Sequence, residues 1–211
     1  MPEADAGSSA RWAKAAARAE GLTDLGIRGA VRRYYLLHFP ITVLIAFGLA
    51  FFFASLWPPE RASILVTGAS FGLMLAGLGS GITGFIYGSK KIGPMVQPHR
   101  MGVTVGLTAD EVKRVRRQVI GKEPVDVDLR VLRGAAVQIR EGLARQFITL
   151  PGFTLLFWGQ ALNRGVSSTL DVIFLIALLA MMVTLGYLVR QFHQTGVFLT
   201  MTATSASDDL M

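Results

Sequence analysis

The chain has 211 residues, 52% hydrophobic and 17% charged, with a mean hydropathy of +0.48 and a formal net charge of +7. Soluble domains carry about a quarter charged residues, so the composition argues against an ordinary soluble protein. The absence of cysteine excludes disulfides, iron–sulfur clusters and thiolate metal sites.

Residues 1–35 are polar and Ala-rich. Ser8 and Ser9 are placed to cap a short helix through Arg11, Lys14, Arg18 and Glu20, stopped by Gly21. Trp12 on such a helix would reach a membrane surface. Its alanines supply little apolar face, so the expectation is a loosely ordered tail. Arg28, Arg32 and Arg33 then stand before the first long apolar run, residues 36–57. Its 22 residues are enough to cross a hydrocarbon core of about 30 Å. A signal peptide would have a shorter apolar region nearer Met1, followed by an Ala-x-Ala type site. Trp57-Pro58-Pro59 follows instead, and the run reads as a mature membrane helix. Pro40 lies in its first turns, where proline costs least.

A tight link at 58–63 returns the chain into residues 64–88, 25 residues without a charge, with Lys90 and Lys91 just beyond. Small residues recur at every fourth position: Gly68, Gly72, Ala76, Ser80, Gly84 and Gly88. In water so much glycine weakens a helix by up to about 1 kcal/mol per site. In lipid, small residues let a neighbouring helix approach closely. Each four-residue step overshoots a full turn by about 40°, so the six positions wrap roughly 200° around the helix. Either two neighbours within the monomer share that stripe, or part of it serves a homodimer interface.

Residues 89–146 hold 12 of the 21 Lys/Arg and 6 of the 14 Asp/Glu. Gly93-Pro94 and Gln97-Pro98 open this polar segment. Thr108 with Glu111 makes a capping box, followed by Val112, Val115 and Val119 at helical spacing and a stop at Gly121. A second helix begins near Asp126 or Asp128, with Leu129, Leu132, Ala136, Ile139 and Leu143 on one face. The pair is a helical hairpin whose seams face each other or the membrane. The third apolar run, 147–163, is short, so it is expected to continue back into that second helix, with a kink near Pro151-Gly152. A turn at 164–169, with Ser168 before Asp171 as a helix start, leads to the fourth run, 170–189, closed by Arg190. The expected layout is an N-terminal segment (1–35), a transmembrane hairpin (36–88), a cytoplasmic helical segment (89–146), a second transmembrane hairpin (147–190) and a flexible tail (191–211).

The Lys/Arg tallies along these segments are six in residues 1–35, one in the first link, twelve in the central segment, one in the 3–4 link and one after the fourth run. The positive-inside rule therefore puts both termini and the central segment in the cytoplasm. Tyr34, Tyr35, Tyr87 and Tyr187 fall at inner ends and Trp57 and Trp158 at outer ends, which agrees. Arg32, Arg33, Lys90 and Lys91 are expected to meet anionic lipid headgroups.

Several motifs invite chemistry. Val66-Thr67-Gly68-Ala69-Ser70-Phe71-Gly72 is like the nucleotide turn of short-chain dehydrogenases, Tyr87 and Lys91 form Tyr-x-x-x-Lys, and Gly79-Ser80-Gly81-Ile82-Thr83-Gly84 is a literal G-x-G-x-x-G. Met74 replaces the last glycine of the first pattern, the Tyr/Lys pair comes too soon, and alternating strands and helices are missing. Helix packing is the better reading. His38, His99 and His193 are far apart, and none has a second ligand three or four residues on, so no metal or other cofactor is expected. Lys113, Arg114, Arg116 and Arg117 form a basic patch, but acids interleave it and no aromatic lies between His99 and Arg145. A solvated or lipid-facing surface is expected there, not nucleic-acid binding. No ionisable residue falls within 41–57, 64–88 or 148–163, which disfavours a coupled transporter.

Over residues 107–129 the pattern L-T-A-D-E-V-x-x-V-x-x-x-V-I-G-x-x-x-V-D-x-D-L resembles a cytoplasmic segment common in uncharacterised actinobacterial four-helix membrane proteins, which place two membrane helices on either side. The resemblance implies that layout over residues 36–190 and a bacterial inner membrane, and it carries no catalytic residue.

The expected fold is therefore all-α: an integral membrane protein with four transmembrane helices and a cytoplasmic helical hairpin between helices 2 and 3. The expected function is a non-enzymatic scaffold or accessory subunit that docks a protein partner, or the membrane surface, through Val112, Val115, Val119, Leu129, Leu132 and Ile139. The alternative is a small transporter or channel component with residues 77–81 lining its path. A lipid-acting enzyme has only the interfacial His38, His99 and the basic cluster behind it.

Overall fold

The computed structural model describes residues 2–56, 63–97, 101–164 and 169–208. Trp57, most of the first link, His99, Ser168 and the last three residues lie outside the described residues. The elements in chain order are α1 (Pro2–Ala19), β1 (Thr23–Asp24), α2 (Ile27–Arg33), α3 (Phe39–Leu56), α4 (Ile64–Tyr87), β2 (Val96–Gln97), α5 (Ala109–Val119), α6 (Leu129–Arg164) and α7 (Thr169–Asp208). The fold is all-helical apart from β1 and β2, a two-residue antiparallel pair with Thr23 opposite Gln97 and Asp24 opposite Val96. Three helical stretches among the described residues are long and apolar enough to cross a membrane: Ile27–Leu56, Ile64–Met95 and Asp171–Thr202.

The first of these is one continuous helix interrupted by a π-helical turn, Tyr34–His38. Pro40 explains the interruption. The helix starts at Ile27, well before the expected position, so Pro40 is interior and not in the first turns. There it lacks an N–H and its ring presses on the carbonyl four residues back. The backbone widens locally, and the Phe39 N–H reaches the Tyr34 carbonyl five residues back. A second π-helical turn, Gly88–Ile92, follows α4.

The chain divides into two compact units. Unit 1 comprises Met1–Ile27, Ile92–Leu143 and Arg190–Met211; unit 2 comprises Arg28–Lys91 and Ala144–Val189.

Unit 1 has an ordinary apolar core. Ala15 and Ala19 of α1, Val103 of the turn before α5, Val115 and Val119 of α5, and Val131, Leu132, Ala135 and Ala136 of α6 are all buried in it. The expected loose N-terminal tail is therefore replaced by an ordered 18-residue helix. Its alanines permit close approach: a methyl on Gly134 would meet the Ala19 Cβ at 2.7 Å. The expected stops hold, with Gly21 and Gly121 both at positive φ. The expected capping box is present, Glu111 N–H donating to Thr108 Oγ1 and Thr108 N–H to Glu111 Oε2 at 2.7 Å. Residues 191–208, expected as a flexible tail, continue α7, and Gln191, Thr195 and Thr202 are buried along it.

Unit 2 is packed the other way round. The buried residues of α3 are Ala46, Ala50 and Ala54, and those of α4 are Gly68, Ser70, Gly72, Ala76, Gly77, Ser80, Gly84 and Tyr87. The large apolar side chains point outward: Leu44 is 72% exposed, Leu65 and Phe85 71%, and Val183 67%. Such a surface suits a hydrocarbon solvent, where bulky side chains outside cost nothing and small ones inside let backbones meet.

Candidate functional site

The small-residue stripe of α4 is shared between two neighbours within unit 2. Its first part faces α3, where a methyl on Gly68 would run into the Phe51 ring and one on Gly72 into the Phe47 ring at 2.7 Å. Its later part faces α6, where a methyl on Gly84 would meet the Ile148 carbonyl oxygen at 2.9 Å. Ala76 and Ser80 are fully buried between these contacts, and Gly88 lies 3.6 Å from the Arg145 stem on the same basis. The roughly 200° wrap of the stripe is what lets one helix serve two partners.

The tightest contacts lie just off the stripe. A methyl on Gly77 would collide with the backbone of Leu156, and one on Gly152 would sit 2.6 Å from the Gly81 nitrogen. One on Gly159 would meet the Ser70 carbonyl oxygen at 2.7 Å. Helices α4 and α6 thus touch backbone to backbone, antiparallel, from Gly84–Ile148 to Ser70–Gly159. That is 14 residues, or about 21 Å, of α4. Gly77, Gly152 and Gly159 escaped the sequence reading, which followed one four-residue period. The seven-residue spacing of Gly152 and Gly159, two turns apart on one face, was the available signal.

Polar side chains in these helices are satisfied locally. Ser80 and Thr83 donate to the Ala76 and Gly79 carbonyls, Thr154 to Leu150 at 3.1 Å and Thr184 to Ala180 at 2.7 Å. At one end of unit 2 an aromatic cluster ties three helices together. Tyr34 donates to the Ser80 carbonyl (3.0 Å), Tyr87 to Ala30 (3.0 Å) and Tyr35 to Phe147 (2.6 Å). The Tyr34 and Tyr87 rings are 5.3 Å apart, with His38 4.9 Å from Tyr87. Tyr87 thus has a structural role, holding α4 against α2, and the G-x-G-x-x-G stretch is mid-helix in α4.

In unit 1 the expected docking seam is used internally. Val115, Val119 and Leu132 are buried in the core and Ile139 packs against it; Val112 is half-buried, and Leu129 is exposed. The two amphipathic helices therefore present their apolar faces to α1 and to each other, which leaves Leu129 and part of Val112 for any partner. Beside the core, Asp24 and Arg140 form a largely buried ion pair at 2.8 Å. The other Asp24 oxygen accepts from the Gly26 and Ile27 N–H groups at 2.8 and 2.7 Å, and the Arg140 guanidinium lies 5.0 Å from the Phe192 ring centre. No local pattern announces a pair 116 residues apart. Glu111, besides closing the capping box, accepts from Arg11 at 3.1 Å and from Ser8 at 3.4 Å. The Arg11 guanidinium first, and the Thr108 N–H second, hold its carboxyl down to about 2. An apolar groove of ≈ 220 Å³ runs between Val119–Gly121 of the α5 end and His193, Val197, Phe198 and Met201 of α7.

Among the described residues no group of three or more His, Asp or Glu is placed to hold a metal. No family model, curated protein or solved structure matches the chain. Fold and packing together define the class, an all-helical protein with three helices fit to span a membrane.

Proposed function

We propose that the chain is a non-enzymatic scaffold or accessory subunit of a membrane complex, spanning a bacterial inner membrane four times. Both termini and the segment between the second and third spans lie on the cytoplasmic side. The observation that carries this reading is the inverted packing of unit 2: small residues inside, bulky apolar ones outside, and an interior filled by backbone contact. The span beyond those three, third in chain order, is the part of α6 that follows Ala144. It is less apolar than the other three, but it lies against α4 for about 21 Å, most of the depth of a hydrocarbon core. The Lys/Arg distribution supports the orientation.

A flux role would need residues 77–81 to line a path. Gly77 and Gly81 are instead in contact with the α6 backbone, which favours the scaffold. Any partner would meet unit 1 through Leu129 and the outer edge of Val112, because the rest of the apolar seam is used within the unit. The test is purification of tagged full-length protein from its native membrane in a mild detergent, with and without crosslinking. A stoichiometric partner, released by Leu129→Asp but retained by an Arg114→Ala control, is expected. A partnerless monomer or homodimer in both preparations would overturn the accessory-subunit reading.

A further inference from the structure

One end of unit 2 gathers exposed cations from separate helices. Arg28, Arg32 and Arg33 are exposed on α2, and Lys90 and Lys91 on the π-helical turn after α4. The Tyr87–Ala30 hydrogen bond and the Tyr34–Tyr87 ring contact bring these two groups to the same end, and Arg33 lies within electrostatic reach of Tyr87. The Arg145 stem, packed over Gly88, walls the third side. Asp171 is the one acid among the described residues of unit 2, and it sits at the start of α7, on the helix that meets α6 through the Phe157–Phe174 contact. Within a turn of the cations the surface becomes bulky and apolar. Leu36 and Leu37 follow Arg32 and Arg33, while Phe85 and Ile86 precede Lys90 and Lys91, all largely exposed.

A cluster of exposed cations continuous with an apolar wall matches one chemistry: a negatively charged headgroup carrying acyl chains. We propose that Arg32, Arg33, Lys90 and Lys91 form a site that retains anionic phospholipid from a mixed bilayer, the chains lying on Leu36, Leu37, Phe85 and Ile86. The site rests on the membrane reading above and adds to it a selectivity for lipid class. A soluble phosphate compound would have no use for the apolar wall.

The test uses full-length protein reconstituted in bilayers of equal parts phosphatidylglycerol and phosphatidylcholine, extracted with its surrounding lipid by a polymer, with the retained lipids quantified. Wild-type protein is expected to enrich phosphatidylglycerol, and the Lys90→Ala/Lys91→Ala variant to lose up to about fivefold of that enrichment per charge removed. Lys90→Arg/Lys91→Arg is expected to keep it, and so is Lys113→Ala/Arg114→Ala, which removes the same charge from unit 1. Parity of the two lipids around wild-type protein, or equal loss in both alanine variants, would overturn the site. So would displacement of the retained lipid by glycerol phosphate alone, which would mean that the apolar wall plays no part. Resistance to alkaline extraction is measured alongside. Protein that is stripped from the bilayer would refute membrane insertion itself, whereas embedded protein without enrichment would refute only the site.

Discussion

Units 1 and 2 are made of the same apolar alphabet used in opposite senses. In unit 1 Leu132 and the valines at 103, 115, 119 and 131 are inside and charged groups outside, because removing apolar area from water stabilises by about 25 cal/mol per Å². In unit 2 leucines and phenylalanines are outside, and the interior belongs to glycine, alanine and serine. In a lipid solvent, whose tails are as apolar as leucine, such packing is held by close van der Waals contact between backbones. Size, not hydrophobicity, decides which side chains unit 2 buries.

The comparison can be broken most sharply at the ion pair of unit 1. Asp24→Ala strands a largely buried Arg140 and removes two acceptor contacts at the α2 start, for an expected loss of about 3–5 kcal/mol. Asp24→Leu with Arg140→Met should recover most of it, as read by limited proteolysis and thermal melting. If the double variant is as damaged as the single, the pair is not what orders this corner. Next, Leu132→Ala should cost about 2–5 kcal/mol, the range for a filled aqueous core. Leu65→Ala, at an exposed position of unit 2, should leave the melting temperature in lipid unchanged. Equal losses at the two leucines would mean that unit 2 has no lipid-facing side.

Smaller still is the glycine contrast. Gly77→Ala must push α4 from α6 and should cost about 1–3 kcal/mol, seen as earlier dissociation of unit 2 in denaturing detergent. Gly48→Ala meets nothing within 4 Å and should be neutral or gain up to about 1 kcal/mol in helix propensity. The mildest effect is acid sensitivity. Glu111 titrates near 2 when folded against an ordinary value of 4.5. Its contribution to docking α1 is therefore complete above the ordinary value and lost as pH falls from there through about 2. Trp12, which packs against the unit 1 core, should report this by fluorescence, and Glu111→Gln should flatten the response.

The sequence made legible what depends on local pattern. The long apolar runs, the Thr108/Glu111 capping box, the Gly121 stop and the continuation of α6 through 147–163 all follow from spacing. The α4 stripe was legible as a packing surface, and its helical wrap implied two neighbours. Long-range consequences were not. Alanines at 15 and 19 look too small to anchor a helix until Gly134 appears opposite them. Val115 and Leu132 read as an unpartnered seam because their cover, α1, comes from about 100 residues earlier in the chain. Pro40 looked harmless because α2 seemed to be a flank, and its continuity with α3 turned the proline into the cause of a π-helical turn.

The three-part make-up of unit 1 sets an order on biosynthesis. Residues 1–27 leave the ribosome first and 92–143 next, but Gln191, Thr195, Phe198 and Leu199 arrive only after every apolar run has been made. At typical synthesis rates the stretch between Leu143 and Arg190 takes roughly 2–10 s. During that interval the half-made unit must keep its valines from wrong partners, while the apolar part of α7 is still being made. Completion of α7 is thus the step that supplies the remaining strip of unit 1, and a chain stalled before it would leave both units unfinished.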